Sequence, residues 1–302
     1  MSIQKDSIKP HHDNPKMTRR QILGSAIGAT AATITAMAVP NVASGAVKRV
    51  VKKGRINHSV CRWCYNSLSL DELCEAAAKM GLKSVELLNP PELPTVKKYG
   101  LVCAILFSHS LQDGLSHKEN HDECLAKIRE SVDAAAECGF PNVICFSGNR
   151  KGMSDEEGLE NTVAALKQII GYAEEKKVNI CIEILNSKVN HKDYMFDHMD
   201  WGLEVCKRIG SERMKILYDI YHAQIMEGDI IRTIRDYHEY IGHYHTGGNP
   251  GRHEIDETQE LYYPAIMRAI LETGYKGYVG QEFIPTRDPL TSLAQGVKIC
   301  DV

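Results

Sequence analysis

The sequence predicts an α/β protein, a single (β/α)8 TIM barrel preceded by an export signal. Three observations lead there. From residue 55 onward, short runs of Val, Ile and Leu alternate with longer amphipathic stretches, the pattern of repeated strand and helix units. Eight such units fit in about 250 residues, the usual length of a closed eight-fold barrel. The segment after the first run, CRWCYNSLS (61–69), contains no glycine, so the glycine-rich fingerprint of an open dinucleotide-binding sheet, the competing arrangement, is missing there.

The first segment stands apart from the barrel. Residues 1–16 are polar, Thr18, Arg19 and Arg20 follow, and an uncharged stretch runs from Gln21 to Val47. A positive start, a moderately apolar Ala, Gly and Thr run at 22–39 and small residues at 43–46 are the three parts of an export signal. TRRQIL (18–23) resembles the twin-arginine form. An uncleaved anchor helix is the competing reading, which Gly24, Gly28 and the interspersed hydroxyl residues weaken. The expected organisation is therefore a signal at 1–46, cleaved near residue 46, and a catalytic barrel at 47–302. The mature protein is expected to be periplasmic or otherwise exported, with no stable membrane anchor after processing.

Composition narrows the partners. Hydrophobic residues at 43% and charged residues at 25% exclude a disordered chain and a multi-span membrane protein. Without residues 1–46 the chain has 31 Lys and Arg against 37 Asp and Glu, a net charge of −6. So acidic a surface offers no field for a phosphate backbone, and nucleic acid is not an expected partner. Ten scattered cysteines read mainly as core residues.

The eight strands are expected at 55–61, 83–88, 101–107, 142–147, 179–185, 214–220, 241–246 and 277–283. Between them, 69–81 reads as a helix with Ser69 as N-cap, Glu72 completing a capping box and Gly81 ending it. The segments 121–139 and 157–177 carry the same periodic apolar face.

In such a barrel the chemistry lies at the carboxyl ends of the strands. Glu183 in CIEIL, Asp219 in LYDIYH, His245 in HYHTGG and Glu282 in GQEF each fall late in a strand, at spacings of 36, 26 and 37 residues, about one unit apart. Any one of these acids alone would suggest a solvated carboxylate or a salt bridge. Four in step, among apolar neighbours, point to one divalent metal ion. Mg, Mn, Co or Zn would suit three carboxylates and an imidazole, and the oxygen count favours Mg or Mn.

Here the chain resembles the xylose isomerase-like barrel superfamily, most closely its hydroxypyruvate isomerase and ketose 3-epimerase branch. The resemblance covers residues 55–302 and is carried by IEILN (182–186), YDIYHAQ (218–224), GHYHTGGNPGRHEID (242–256) and GQEF (280–283). It implies that Glu183, Asp219, His245 and Glu282 ligate the metal, that Glu183 and Glu282 form the proton-transfer pair, and that His222 and Arg252 contact substrate oxygens. His245 is like the epimerases, since hydroxypyruvate isomerases often have Gln at that position.

The chemistry also follows from the residue types. Shifting a carbonyl along a hydroxy-ketone requires loss of a proton from the adjacent carbon to give an enediolate, which a Lewis acid and two flanking carboxylates can serve. Arg252, after the glycine-rich stretch 247–251, suits a bidentate carboxylate contact and so an acid substrate. Asn186 is expected either to bind a substrate hydroxyl or to cap its loop, and Trp63 and His109 either to line the pocket or to pack the core. His253 and Glu254 are expected only to support the site, either structurally or from behind the residues that contact the metal. Cys61 and Cys64 form a C-x-x-C that lacks the second pair a zinc ribbon needs.

The expected function is a metal-dependent isomerase of a small hydroxy-keto acid, hydroxypyruvate isomerase-like, working through an enediolate and two glutamates. The alternatives are a ketose 3-epimerase or inosose dehydratase-like enzyme, or an exported sugar-binding barrel without turnover. The partner in each case is a small keto acid or sugar. Assembly as a homo-oligomer is left open.

Overall fold

The apolar runs become parallel strands of one curled sheet. In this computed structural model the described residues are 48–302, so the signal reading of 1–46 lies outside them. The strands are β1 (Asn57–Cys61), β2 (Ser84–Glu86), β3 (Asn142–Cys145), β4 (Asn179–Glu183), β5 (Met214–Asp219), β6 (Ile241–Thr246) and β7 (Tyr278–Gln281). Their order is β2-β1-β7-β6-β5-β4-β3, every pair parallel.

The run 101–107, expected as a strand, forms no continuous ladder. It lies between β2 and β3 and meets them by isolated parallel bridges, Ser84 with Val102 and Leu88 with Leu106 on the β2 side and Leu106 with Val143 on the β3 side. Its backbone is satisfied partly by side chains: Ala104 N donates to Ser84 Oγ at 2.8 Å, and Asn142 Nδ2 donates to the Ala104 carbonyl at 2.8 Å. The sheet therefore curls round through this segment as a TIM-barrel-like fold, with side chains replacing two rungs.

Among the described residues ten α-helices surround the sheet: α1 (Leu70–Met80), α2 (Leu93–Lys98), α3 (His121–Cys138), α4 (Asp155–Leu166), α5 (Ile170–Lys176), α6 (Met199–Ile209), α7 (Ile220–Met226), α8 (Ile230–Tyr237), α9 (Tyr263–Glu272) and α10 (Pro289–Cys300). Helix α1 begins as its sequence dictates: Ser69 Oγ accepts the Glu72 N–H, Glu72 returns to the Ser69 N–H, and Gly81 ends the helix at φ 97°. Residues 157–177, expected as one helix, divide into α4 and α5. At the junction Gln168 N bonds to Ala165 O and Ile169 N to Leu166 O, a tightened turn that buries Ile169.

The strands are buried on both faces, as parallel strands covered by helices must be. All ten cysteines are free, nine of them buried and Cys138 partly so, which places them in packing roles. Asp301, after α10, accepts the backbone N–H groups of Lys52, Lys53 and Gly54 at 2.6, 2.8 and 3.0 Å, tying the lead-in of β1 to the end of the chain.

Candidate metal centre

Four adjacent strands deliver the four predicted donors. Glu183 ends β4 and Asp219 ends β5, His245 lies one residue from the end of β6, and Glu282 follows β7. Asp219 pairs in register with His245, and His245 with Gly280, while Glu282 N donates to the Thr246 carbonyl at 3.0 Å. An irregularity between β5 and β6 sets this register, Leu217 pairing with His243 after Ile216 has paired with Ile241, so that Gly242 is skipped. A ligand atom from each of Glu183, Asp219, His245 and Glu282 lies within 4.8 Å of the others, and all four side chains are buried.

The histidine shows what this group can hold. His245 Nε2 lies 2.9 Å from Glu86 Oε1, a hydrogen bond only if Nε2 carries the proton. In the neutral ring Nδ1 is then a bare lone pair, yet it faces Glu282 Oε2 at 3.0 Å and Glu183 Oε1 at 3.4 Å without a hydrogen bond to either. Glu183 Oε1 is likewise buried and unpartnered. A lone pair among carboxylate oxygens is repulsive unless a proton or a metal cation lies between them, so the donor set fits a divalent ion.

Glu86, at the end of β2, was not anticipated from the sequence. Its Oε1 also lies 2.9 Å from His243 Nε2 and accepts from Cys61 Sγ at 3.4 Å, and Glu86 is completely buried. Gly280 makes the room, because a Cβ there would stand 2.0 Å from Glu86 Oε1. A carboxylate behind a ligating histidine fixes the ring's tautomer and orientation. Two cues could have found it: an acid within the apolar run KSVELL, which a strand buried on both faces cannot leave in water, and the spacing of His243 and His245 on one face of β6.

The remaining predicted residues divide. Arg252 Nη2 reaches Glu282 Oε2 at 2.6 Å and Asp219 Oδ2 at 3.3 Å, and its guanidinium lies 4.9 Å over the Trp63 ring and 5.4 Å over Tyr221. It is seated by a tight loop in which Gly248 N donates to the His253 carbonyl and Arg252 N to that of Gly248. A Cβ on Gly248 would come within 2.2 Å of the Glu254 carbonyl oxygen. Trp63 Nε1 donates to Glu282 Oε1 at 2.8 Å while the residue remains 37% exposed, which puts it at the rim. Asp219 caps α7, its Oδ1 accepting the N–H groups of Tyr221 and His222. His222 Nε2 stands 3.6 Å from Asp219 Oδ2, and Asn186 contacts His222 Nδ1. Glu254 is tied to Thr286, Arg287 and Ser292, a structural role. Burial pushes the thiols of Cys61 and Cys64 well up, away from the thiolate that redox or metal chemistry needs.

The protein groups alone pull the carboxylates apart. Burial raises Glu183 and Asp219, with Glu282 adding repulsion in both cases. Burial acts on Glu282 too, but Arg252 and His245 outweigh it and hold its carboxyl well below the ordinary range. Glu282 is therefore held as the anion, while Glu183 and Asp219 are both pushed toward the protonated form.

His109 makes no hydrogen bond to the four donors. Its Nδ1 meets the Ser110 carbonyl at 3.0 Å, its Nε2 accepts the Phe146 N–H at 3.3 Å, and the ring packs edge-on to Phe146. This arrangement needs a neutral ring, and burial lowers the pKa from 6.5 to about 4. An unfolded chain takes up this proton below pH 6.5 and the folded one does not, so the stabilisation is complete above pH 6.5 and is lost as pH falls toward 4. In urea titrations the loss of stability from pH 7 to pH 5 is expected to be smaller in His109→Gln than in the parent protein. Equal losses would remove His109 from the acid response.

A parallel barrel with buried titratable residues gathered at four consecutive strand ends is the architecture of a TIM-barrel enzyme, whose chemistry lies at that face. The chain belongs to the xylose isomerase-like TIM barrel family, whose model matches residues 74–300. It is 29% identical over 228 residues to 2-oxo-tetronate isomerase of Pectobacterium atrosepticum, covering 70% of this chain and 85% of that protein. It is 26% identical over 229 residues to hydroxypyruvate isomerase of Escherichia coli, covering 70% and 86%. Among solved structures, an AP endonuclease of family 2 from Brucella melitensis superposes with a TM-score of 0.72 at 22% identity, covering 80% of this chain and 98% of that one, a likeness of fold.

Proposed function

We propose that this protein is a metal-dependent isomerase of a small hydroxy-keto acid. The observation that carries the reading is the buried group of four donors from adjacent strand ends, in which His245 Nδ1 and Glu183 Oε1 have no hydrogen-bond partner. The names of the two isomerase relatives support the substrate class, since both describe acids. Glu183, Asp219, His245 and Glu282 would hold the ion, with Mg or Mn favoured by the three carboxylates. When bound, it would supply Lewis-acid stabilisation of negative charge on the substrate oxygens.

The protein's own groups do the proton work. Glu183 removes the proton from the carbon that bears the hydroxyl. The electron pair moves to the carbonyl oxygen, and the enediolate results. Glu282, kept anionic by Arg252 and oriented by Trp63, takes the hydroxyl proton that must leave as the carbonyl shifts to the neighbouring oxygen. Glu183 then returns its proton to the former carbonyl carbon and Glu282 gives the hydroxyl proton to the former carbonyl oxygen, so the product is neutral at both centres and both glutamates are ionised again. His222 and Arg252 orient substrate oxygens, and the Trp63 ring covers the rim.

The test is metal analysis of the purified protein, then proton NMR with hydroxypyruvate and 2-oxo-tetronate under Mg or Mn. About one bound ion per chain and carbonyl transfer in at least one acid are expected. Failure with both acids alongside turnover of a ketose would move the assignment to epimerisation. We also propose that the chain is exported and cleaved near residue 46, which the N-terminal mass of the mature protein in its host would check.

A further inference from the structure

We infer that His191 is a specificity-determining residue that binds the carboxylate end of the substrate beside His222 and Arg252, an inference that rests on the isomerase reading above. The loop after β4 is built around one completely buried side chain. Asn186 Oδ1 accepts the N–H groups of Val189 and Asn190 at 3.0 and 2.9 Å, and its backbone carbonyl accepts that of His191 at 3.1 Å. Its Nδ2 then donates to Asn190 Oδ1 at 2.8 Å, and that oxygen also accepts the Tyr221 hydroxyl at 2.8 Å. The loop is thus fastened to the start of α7 and cannot swing freely.

The same asparagine fixes the tautomer of His222. Both the backbone N–H and Nδ2 of Asn186 point at His222 Nδ1, at 3.1 and 2.6 Å, so Nδ1 is the acceptor and Nε2 carries the proton. That Nε2 is buried and has no hydrogen-bond partner. The His191 ring lies 5.2 Å from the His222 ring, tilted by 58°, and its own Nε2 is also buried without a partner. Buried polar atoms are seldom left idle.

Two adjacent imidazoles with unspent Nε2 atoms therefore stand at the mouth that Arg252 also faces. Burial first, and the charge of Arg252 next, push His191 down to about 4, so at neutral pH the ring is uncharged and its Nε2 is free to carry the N–H toward an acceptor. One cation and two neutral donors match a carboxylate better than a polyol, which supplies donors of its own and carries no charge for the guanidinium to meet.

The experiment measures binding in the Mn-loaded Glu183→Gln protein, in which turnover is suppressed, with hydroxypyruvate and with dihydroxyacetone, a three-carbon hydroxy-ketone lacking the carboxylate. Adding His191→Ala is expected to weaken hydroxypyruvate by about tenfold or more and dihydroxyacetone by no more than about twofold. Metal content should be unchanged. His191→Gln, which keeps an N–H at similar reach, should recover part of the loss. Unchanged affinity in His191→Ala, equal loss for both ligands, or no binding of hydroxypyruvate to the Mn-loaded protein would each overturn the inference. If the protein with Glu183 intact turns over neither acid while the acid-selective loss persists, the isomerase reading fails and the carboxylate subsite stands.

Discussion

Replacing Glu183 by Gln is expected to cut turnover by about 10² to 10⁴, the usual contribution of a positioned general base, while the metal stays bound. Glutamine keeps the side-chain length and an oxygen able to ligate, but its amide cannot accept a carbon-bound proton at neutral pH. The environment makes Glu183 the sensitive member of the pair: its Oε1 is unpartnered, whereas both oxygens of Glu282 are engaged by Trp63 and Arg252. Turnover and exchange of the substrate carbon proton with deuterated solvent should therefore fall together in Glu183→Gln. Glu282→Gln should slow turnover while still allowing exchange, because the carbon proton can leave but the oxygen proton is mishandled. The comparison requires matched metal content. Full turnover in Glu183→Gln, or exchange at the parent rate, would remove Glu183 from the carbon-proton step.

The four donors were legible because strand-end position, spacing and apolar surroundings agree, and adjacent parallel strands convert that agreement into proximity. Local helix signals held for the same reason, as at Ser69, Glu72 and Gly81. What escaped were features in which one side chain overrides a pattern. The run 101–107 has the composition of a strand, but Ser84 and Asn142 take the hydrogen bonds at Ala104 that a ladder would use. The apolar face at 157–177 continues across a turn that leaves the α-helical bonding pattern for two residues, and periodicity does not register so short a break. Trp63 and Arg252 sit far apart in sequence yet stack, because the loop after β6 turns back toward the turn after β1. His109, read as either a pocket or a core residue, has both nitrogens committed to backbone partners only the fold brings near.

Glu86 shows how far from the reacting atoms a residue can matter. Its carboxylate is completely buried, and the neighbours it engages are His243, His245 and Cys61. Burial alone would raise its pKa, but the two histidines reverse this and hold it far below the ordinary range, so it stays ionised. An anion at that point makes His245 Nε2 the protonated nitrogen and raises the basicity of Nδ1, the atom offered to the metal. Glu86→Gln keeps the shape, removes the charge and places an amide NH2 where Glu86 Oε2 already lacks a partner. Metal affinity is expected to weaken by about 10- to 100-fold, read by chelator competition with Mn. Gly280→Ala should act in the same direction without touching Glu86 chemically, because its Cβ would need the space of Glu86 Oε1. Turnover at saturating metal should recover in Glu86→Gln far more than in Glu183→Gln, since Glu86 orients a ligand and exchanges no proton with substrate. Unchanged metal affinity in a folded Glu86→Gln protein would mean that the strands alone hold His245 in place.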